Sequence, residues 1–299
     1  MKLACANVSK HYGKTAAIDG FSMSITEAGI YCLLGRNGAG KTTFLKLLSG
    51  QTAATSGSVT VNSRTVAPLA MPEEVYFVAS DAQQFNLPLQ ELYKAAADIN
   101  PAFDIGFAME MSRRFNLDQK KRFKSLSFGM KAMANTLIAL ASGREVLLLD
   151  EPVLGFDPIM RKTFYEMLQE SAQQSSVQQS AQDSGGAEKK RTVIVSTHII
   201  DEIARVAERL IIIEKGRPLL FCGMEEIDEK AYSVTGPADA VRAVTKGLNV
   251  IAETKAGGFI SHSVYDRRIE ESGGYSIAPL GLQDFFVGLV GDTTREAIV

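Results

Sequence analysis

The sequence predicts an α/β fold around a largely parallel sheet, followed by a smaller α+β appendage. Three observations carry this. Short, wholly apolar runs at 30–34, 146–149 and 210–213 have the length and content of strands buried on both faces. Segments of helical period lie between these runs. Past residue 222 the composition changes to a charged stretch followed by short strand-like pieces.

In order along the chain, the first forty residues alternate strand-like and turn-like pieces and lead into the run at 30–34, which ends at glycine. A helix is expected over 41–48, stopped by Gly50. Residues 57–66 and 74–79 read as short strands. From 89 to about 117 the period is helical with a break at Pro101, and 128–141 is helical again, closed by Gly143. A buried strand at 146–149, a helix at 161–169, a strand at 192–196, a helix at 201–209 and a strand at 210–214 complete the first part. Residues 171–190 are rich in Gln, Ser and Gly with almost no apolar content, which predicts a flexible surface loop inserted between a helix and a strand. Beyond a boundary near 222, strands are expected at 232–234, 250–254, 259–264 and 275–277, with helices at 239–245 and 282–290. The expected domains are therefore 1–222 and 223–299.

Composition narrows the function. With 299 residues and 45% hydrophobic content the chain can bury a proper core. The 32 basic and 34 acidic residues nearly cancel, so no global field advertises nucleic acid or an acidic partner. Cys5, Cys32 and Cys222 form no CxxC pair, which argues against a disulfide scaffold or zinc ribbon and fits a reducing cytosol. Three histidines are too few for a His-rich metal site. No apolar run approaches the roughly 18 residues of a membrane span, and residues 1–14 hold no apolar leader core, so no signal peptide is expected.

Gly35-Arg36-Asn37-Gly38-Ala39-Gly40-Lys41-Thr42 fits GxxxxGK[ST] at every fixed position, after an apolar strand and at the opening of a helix. Glycines let the backbone curl so that its N–H groups face phosphate oxygens, and the helix N-terminus adds positive potential. Lys41 would reach the β- and γ-phosphates and the Thr42 hydroxyl would ligate Mg2+. The alternative, a glycine-rich turn that binds nothing, has the flanking strand and helix against it. Val146–Leu149 then delivers Asp150 and Glu151 to the strand end where ligands bind in open α/β sheets. Asp150 would hold the Mg2+ shell and Glu151 would act as general base. Alone, such a strand could simply end in solvated carboxylates; the phosphate loop gives it meaning.

Leu126-Ser127-Phe128-Gly129-Met130 lies 20 residues ahead of Asp150. With it, the sequence resembles the ATP-binding subunit of ABC transporters, whose signature reads LSGGQ or LSxGM. The resemblance spans residues 1 to about 222 and implies a P-loop NTPase core with an antiparallel β subdomain and a helical subdomain at about 81–141. It implies that Tyr12 stacks on adenine, that Thr43 belongs with Gly35, Asn37, Gly38, Ala39, Gly40, Lys41 and Thr42 in the nucleotide site, and that Asp157 is the D-loop aspartate. It also implies that His198 is the switch histidine at the γ-phosphate, making Glu151, His198 and Lys41 the catalytic set with ATP and Mg2+ as cofactors. Ser127 and Gly129 would complete the ATP site of a second copy in a head-to-tail dimer.

Each landmark has a plainer reading. Tyr12 could be an ordinary half-exposed strand aromatic, His198 a hydrogen-bonded structural histidine, Ser127 a helix cap and Asp157-Pro158 a helix start. Their joint order favours the family reading. The chain departs from the family at the Q-loop, where 79–84 reads ASDAQQ; Gln83 is the nearest glutamine as metal ligand, with Ser80 and Asp81 the alternatives. Phe128 replaces the signature's first glycine, Met130 its glutamine, and Phe156 the usual D-loop leucine.

The resemblance implies integral-membrane permease subunits and a second ATP-binding subunit, identical or related, as partners, with no nucleic acid. It places the chain peripherally at the cytoplasmic side of the membrane, and the style most resembles exporters of the bacitracin-export, antibiotic-resistance type. The basic run Arg113-Arg114 and Lys120-Lys121-Arg122-Phe123-Lys124 reads as a solvated helix face with its loop, with lipid headgroup contact as the alternative. A soluble ABC-type ATPase of DNA repair or translation is the other functional class; no heptad run or second cassette supports it. The tail's role is open between dimer contact, regulation and structural packing.

Overall fold

A computed structural model of the chain describes residues 2–79, 85–173, 191–271 and 273–291. Strands β1 (Leu3–Tyr12) and β2 (Thr15–Ile25) form an antiparallel hairpin, closed by a two-residue turn at Gly13, φ 60°. β3 (Gly29–Leu34) is buried along its whole length, and α1 (Lys41–Leu48) follows it. β4 (Ser56–Val61) pairs with the free edge of β1, and β5 (Arg64–Thr65) pairs with β4. The single strand expected at 57–66 is thus a hairpin: Asn62 and Ser63 both take positive φ, 48° and 64°, which turns the chain back.

β6 (Val75–Val78) leads to three helices, α2 (Leu89–Ile99), α3 (Ile105–Arg114) and α4 (Phe128–Ala141). The break expected at Pro101 falls between the first two. β7 (Val146–Asp150) precedes α5 (Pro158–Gln173), which starts ahead of the expected 161 because Asp157 caps it before Pro158, and which runs on past the expected 169. Residues 171–173 are therefore helical, and the rest of the expected 171–190 loop lies outside the described residues. β8 (Thr192–Ser196) follows, then α6 (Ile200–Ile203). The helix expected over 201–209 stops after this one turn because Arg209 is drawn into β9 (Arg209–Glu214), where it registers with Tyr31 of β3. β10 (Arg217–Gly223) turns back antiparallel on β9.

The central sheet has the order β10-β9-β3-β8-β7-β6, parallel except for the β9–β10 pair. Alternation along its strands splits the core in two. Tyr31, Leu33, Leu148, Ile194 and Ile211 face α1 and the antiparallel sheet β2-β1-β4-β5; Cys32, Leu34, Leu149, Val195 and Ile212 face the helices.

The chain continues through α7 (Met224–Lys230), β11 (Ala231–Pro237), α8 (Ala238–Val244), β12 (Val250–Ala256), β13 (Phe259–Tyr265), β14 (Ser276–Pro279) and α9 (Leu282–Gly291). The charged stretch after 223 is a helix. The four strands form a separate antiparallel sheet, β12-β13-β11-β14. Its small cluster includes Tyr232, Val234, Val241, Ile260 and Val264. Leu282, Phe285, Leu289 and Val290 of α9 join the large helical-side core instead, beside Ile200 and Ile203 of α6. Phe285 meets Tyr265 edge-on, centroids 5.0 Å apart.

The basic run is partly internal wiring. Arg114 donates to Glu170 at 3.1 Å and lies 3.9 Å from Glu166, tying α3 to α5; Arg122 donates to the Asn86 carbonyl at 2.7 Å. No helix among the described residues is long and apolar enough to cross a membrane.

Because Phe285 is fully buried in the shared core, Phe285→Ala should destabilise the whole chain by about 3–5 kcal/mol. Urea unfolding followed by circular dichroism should show the main transition moving, rather than a separate tail transition.

Candidate functional site

Residues 35–40 link the end of β3 to α1. Glycine is needed there for space and for φ. A methyl on Gly35 would lie 2.5 Å from the Ile213 carbonyl oxygen, and one on Gly40, φ 107°, would lie 2.4 Å from that of Ala17. Gly38, φ 81°, faces open space, with Asn37 exposed beside it. Ala39 is buried, donating to the Arg36 carbonyl and accepting from Gly216 N–H at 2.9 Å. No side chain caps α1, so its first N–H groups remain available to an anion. Lys41, 9% exposed, curls back so that Nζ donates to the Gly35 carbonyl at 2.8 Å. Thr43 is half-buried in the first turn.

β8 lies between β3 and β7, with Ser196 in register with both Leu33 and Asp150. That topology delivers the phosphate loop, Ser196–His198 and Asp150–Glu151 to one sheet edge. Asp150 is 1% exposed; its Oδ2 accepts from Thr42 Oγ1 at 2.8 Å and its Oδ1 from Ser196 Oγ at 2.6 Å. Glu151 has φ 49°, a left-handed backbone unusual for a non-glycine residue. Its N–H donates to the Ser196 carbonyl at 3.0 Å, which holds that turn. The Glu151 carboxylate lies 2.8 Å from His198 Nδ1. On β3, burial pushes the Cys32 thiol far up, and the Glu151 carboxylate adds to the shift.

Ser127 Oγ accepts from Met130 N at 3.2 Å and so caps α4. Asp157 Oδ1 accepts from Met160 N at 2.9 Å and caps α5. Within one chain both therefore do what their plainer readings expect. Gly129 presses on the next loop: a methyl there would lie 2.5 Å from the Gly155 carbonyl oxygen. Tyr12 is 52% exposed at the end of β1. Gln83, Ser80 and Asp81 lie outside the described residues.

In the sequence Ser196 stands out only as the last residue of the strand expected at 192–196, and the Gly216 turn under Ala39 gives no signal. Both contacts cross long sequence separations.

This arrangement defines a nucleoside-triphosphate-binding α/β domain with a phosphate loop and a carboxylate pair on one sheet edge. The sequence profile described as "ABC transporter" matches residues 18–154. The ABC transporter ATP-binding protein YtrB of Bacillus subtilis is 24% identical over 252 residues, covering 81% of this chain and 82% of that protein. Nod factor export ATP-binding protein I of Burkholderia orbicola is 26% identical, covering 97% of both chains. The lantibiotic transport ATP-binding protein SrtF of Streptococcus pyogenes is 26% identical, covering 76% of this chain and 94% of its own. The solved ATP-binding subunit of an ABC transporter shares the fold with a TM-score of 0.63 at 20% identity, over 76% of this chain and 92% of that one. A dimeric ATP-binding cassette bound to ADP and Pi gives 0.60 at 18% identity, over 74% and 98%. Residues 18–154 thus carry an ABC transporter ATP-binding domain, and the relatives this chain resembles along most of its length are named as ATP-binding proteins of transporters.

Ser196→Ala removes the donor to one oxygen of a buried carboxylate. It should lower ATP turnover about ten-fold or more and stability by about 1–3 kcal/mol, read by a coupled ATPase assay and urea unfolding.

Proposed function

We propose that this chain binds and hydrolyses ATP to power an exporter, working as one half of a head-to-tail dimer beneath integral-membrane permease subunits. The observation that carries the reading is the grouping of Thr42, Asp150, Ser196, Glu151 and His198 at one sheet edge beside the phosphate loop. The names of relatives in lantibiotic transport and Nod factor export support transport, outward in direction, over the DNA-repair or translation alternative.

The phosphate-loop residues Gly35, Asn37, Gly38, Ala39, Gly40, Thr42 and Thr43 cradle the phosphates, and Lys41 turns its ammonium from the Gly35 carbonyl toward the β- and γ-phosphates. Mg2+ fits the donors present: Thr42 and Asp150 offer hard oxygens, and Asp150 is a buried carboxylate whose hydrogen-bond donors are neutral hydroxyls. Thr42 and Asp150 would hold the ion, with Gln83, Ser80 or Asp81 as further ligand. When bound, it neutralises charge on the phosphate oxygens. Glu151 accepts a proton from the attacking water, and His198, in hydrogen-bond contact with Glu151, orients the reacting groups. Tyr12 stacks on the base. Ser127 and Gly129 meet the ATP of the opposing copy, identical or related, and Asp157 serves the nucleotide site as the D-loop aspartate.

The domains in this reading are 1–222, with a helical subdomain at about 81–141, and 223–299. The permease docks in the groove between β6 and helices α2 and α4, a cavity of about 490 Å3 lined by Met71, Phe85, Leu92, Ile99, Phe103 and Ile138. Ile99 is 85% exposed there. Such a partner keeps the chain peripheral, on the cytoplasmic side of the membrane.

Glu151→Gln should cut ATP turnover about a hundred-fold or more and yield a dimer in MgATP on size-exclusion chromatography; wild-type turnover would sink the base assignment. In affinity purification from native membranes, the tagged chain should bring down a multi-spanning protein, and Ile99→Glu should lose it while keeping ATPase activity. Recovery of ribosomal or DNA-repair components instead would overturn the transport reading.

A further inference from the structure

Lys10 stands over the ring of Tyr12. Its Nζ sits 5.0 Å from the centroid of the Tyr12 ring, within the roughly 6 Å reach of a cation–π contact. The same ammonium donates to the Ala53 carbonyl at 2.7 Å, so it is tethered from behind. Two backbone contacts fix the same corner: His11 N donates to Thr55 Oγ1 at 3.0 Å and Thr55 N donates to the Ser9 carbonyl at 2.7 Å. The end of β1 is thereby stapled to the segment leaving α1.

That end is also joined to the phosphate loop. Tyr12 pairs with Thr15 and His11 with Ala16. The next residue, Ala17, presents the carbonyl that presses on Gly40, 2.4 Å from where a methyl would stand. Strand β2 thus pairs with the ring-bearing residue at Thr15 and buttresses the phosphate cradle two residues further on, at Ala17. A ring placed there is too exposed, at 52%, to be packed by apolar neighbours; Lys10 is what engages one of its faces.

We propose that Lys10 is a positioning residue that makes Tyr12 a one-sided platform for a flat, aromatic nucleobase. The ammonium binds the electron-rich face of the ring and holds it in one orientation. The opposite face is left to stack on a base, which adds affinity without hydrogen bonds to the base edges. The ligand so recognised is a nucleoside triphosphate as distinct from an inorganic triphosphate, and the inference rests on the ATP-binding reading above.

The test is titration calorimetry of the full chain with MgATP and, separately, with magnesium tripolyphosphate. Lys10→Met should weaken MgATP binding about three- to five-fold, the worth of an exposed cation–π contact, and leave tripolyphosphate binding unchanged. Lys10→Arg should restore MgATP binding, and KM should rise more than kcat falls in Lys10→Met. In nucleotide-free protein labelled on tyrosine ring carbons, the Tyr12 resonance should move in Lys10→Met and return toward its original position in Lys10→Arg. Equal loss for both ligands would reduce Lys10 to a loop support, and no loss for either would remove its role; each overturns the proposal. Wild-type protein that binds tripolyphosphate but gains nothing from the adenosine would overturn it too, with the phosphate chemistry intact. Wild-type protein that binds neither ligand would instead bring down the ATP-binding reading on which the proposal rests.

Discussion

A carboxylate taken out of water is the constraint around which this molecule is arranged. Asp150 is 1% exposed at the end of a strand with buried neighbours on both sides. Burying an ionised carboxylate carries a desolvation penalty of several kcal/mol unless its oxygens are satisfied. Both are: one by Thr42 from the first turn of α1, the other by Ser196 from the next strand. Those two hydroxyls reach it only because β8 stands between β3 and β7 with Ser196 level with Asp150. The crossovers that set that strand order are thus what let a carboxylate remain at the sheet edge.

Backbone conformation applies the second constraint. Gly35 and Gly40 sit where any side chain would strike a carbonyl of a neighbouring strand, so the phosphate loop is wedged between β2 and the end of β9. Glu151 carries the opposite kind of strain: a full side chain in the left-handed region, φ 49°, a conformation that persists when surrounding bonds over-determine it. Ser196 supplies them, its carbonyl taking the Glu151 N–H at 3.0 Å and its hydroxyl lying 3.2 Å from the same nitrogen. One residue therefore fixes both the carboxylate that faces Thr42 and the turn that aims Glu151 at His198.

What could be read from the sequence follows the range of the interaction that decides each feature. Helices α1 and α4 fall at their expected residues, 41–48 and 128–141, because Gly50 and Ser127 are local stop and start signals. The helix expected at 201–209 fails because its last residue belongs to a strand whose partner, Tyr31, lies far away in the chain. The hairpin at 56–65 was hidden because two consecutive positive-φ residues, Asn62 and Ser63, leave no glycine to mark them. In the site, Lys41, Thr42, Asp150 and Glu151 were legible since each sits in a short ordered motif. Ser196, Gly216 and Lys10 were not, because what they touch is set by tertiary register. Ser127 shows the converse: its motif pointed outward to a second copy, while inside one chain it caps its own helix, as Asp157 of the D-loop does.

The same register links the tail to the chemistry. His198 is followed at once by α6, whose Ile200 and Ile203 are buried beside Phe285 and Leu289 of α9 in the large core. Arg161 of α5 pairs with Glu202 of α6 at 3.0 Å, so α6 is held between α5 on one side and the tail on the other. His198 itself is largely open, its side chain 57% exposed, yet it is hydrogen-bonded to Glu151. A displacement of His198 away from Glu151 that carried α6 along would strain the Arg161–Glu202 pair and shear apolar contacts with α9. Rotation about its own side-chain bonds disturbs neither. Close packing makes shear through a buried interface the more expensive movement. The geometry therefore ties the backbone position of this histidine to a sheet and helix that contribute no residue to the site.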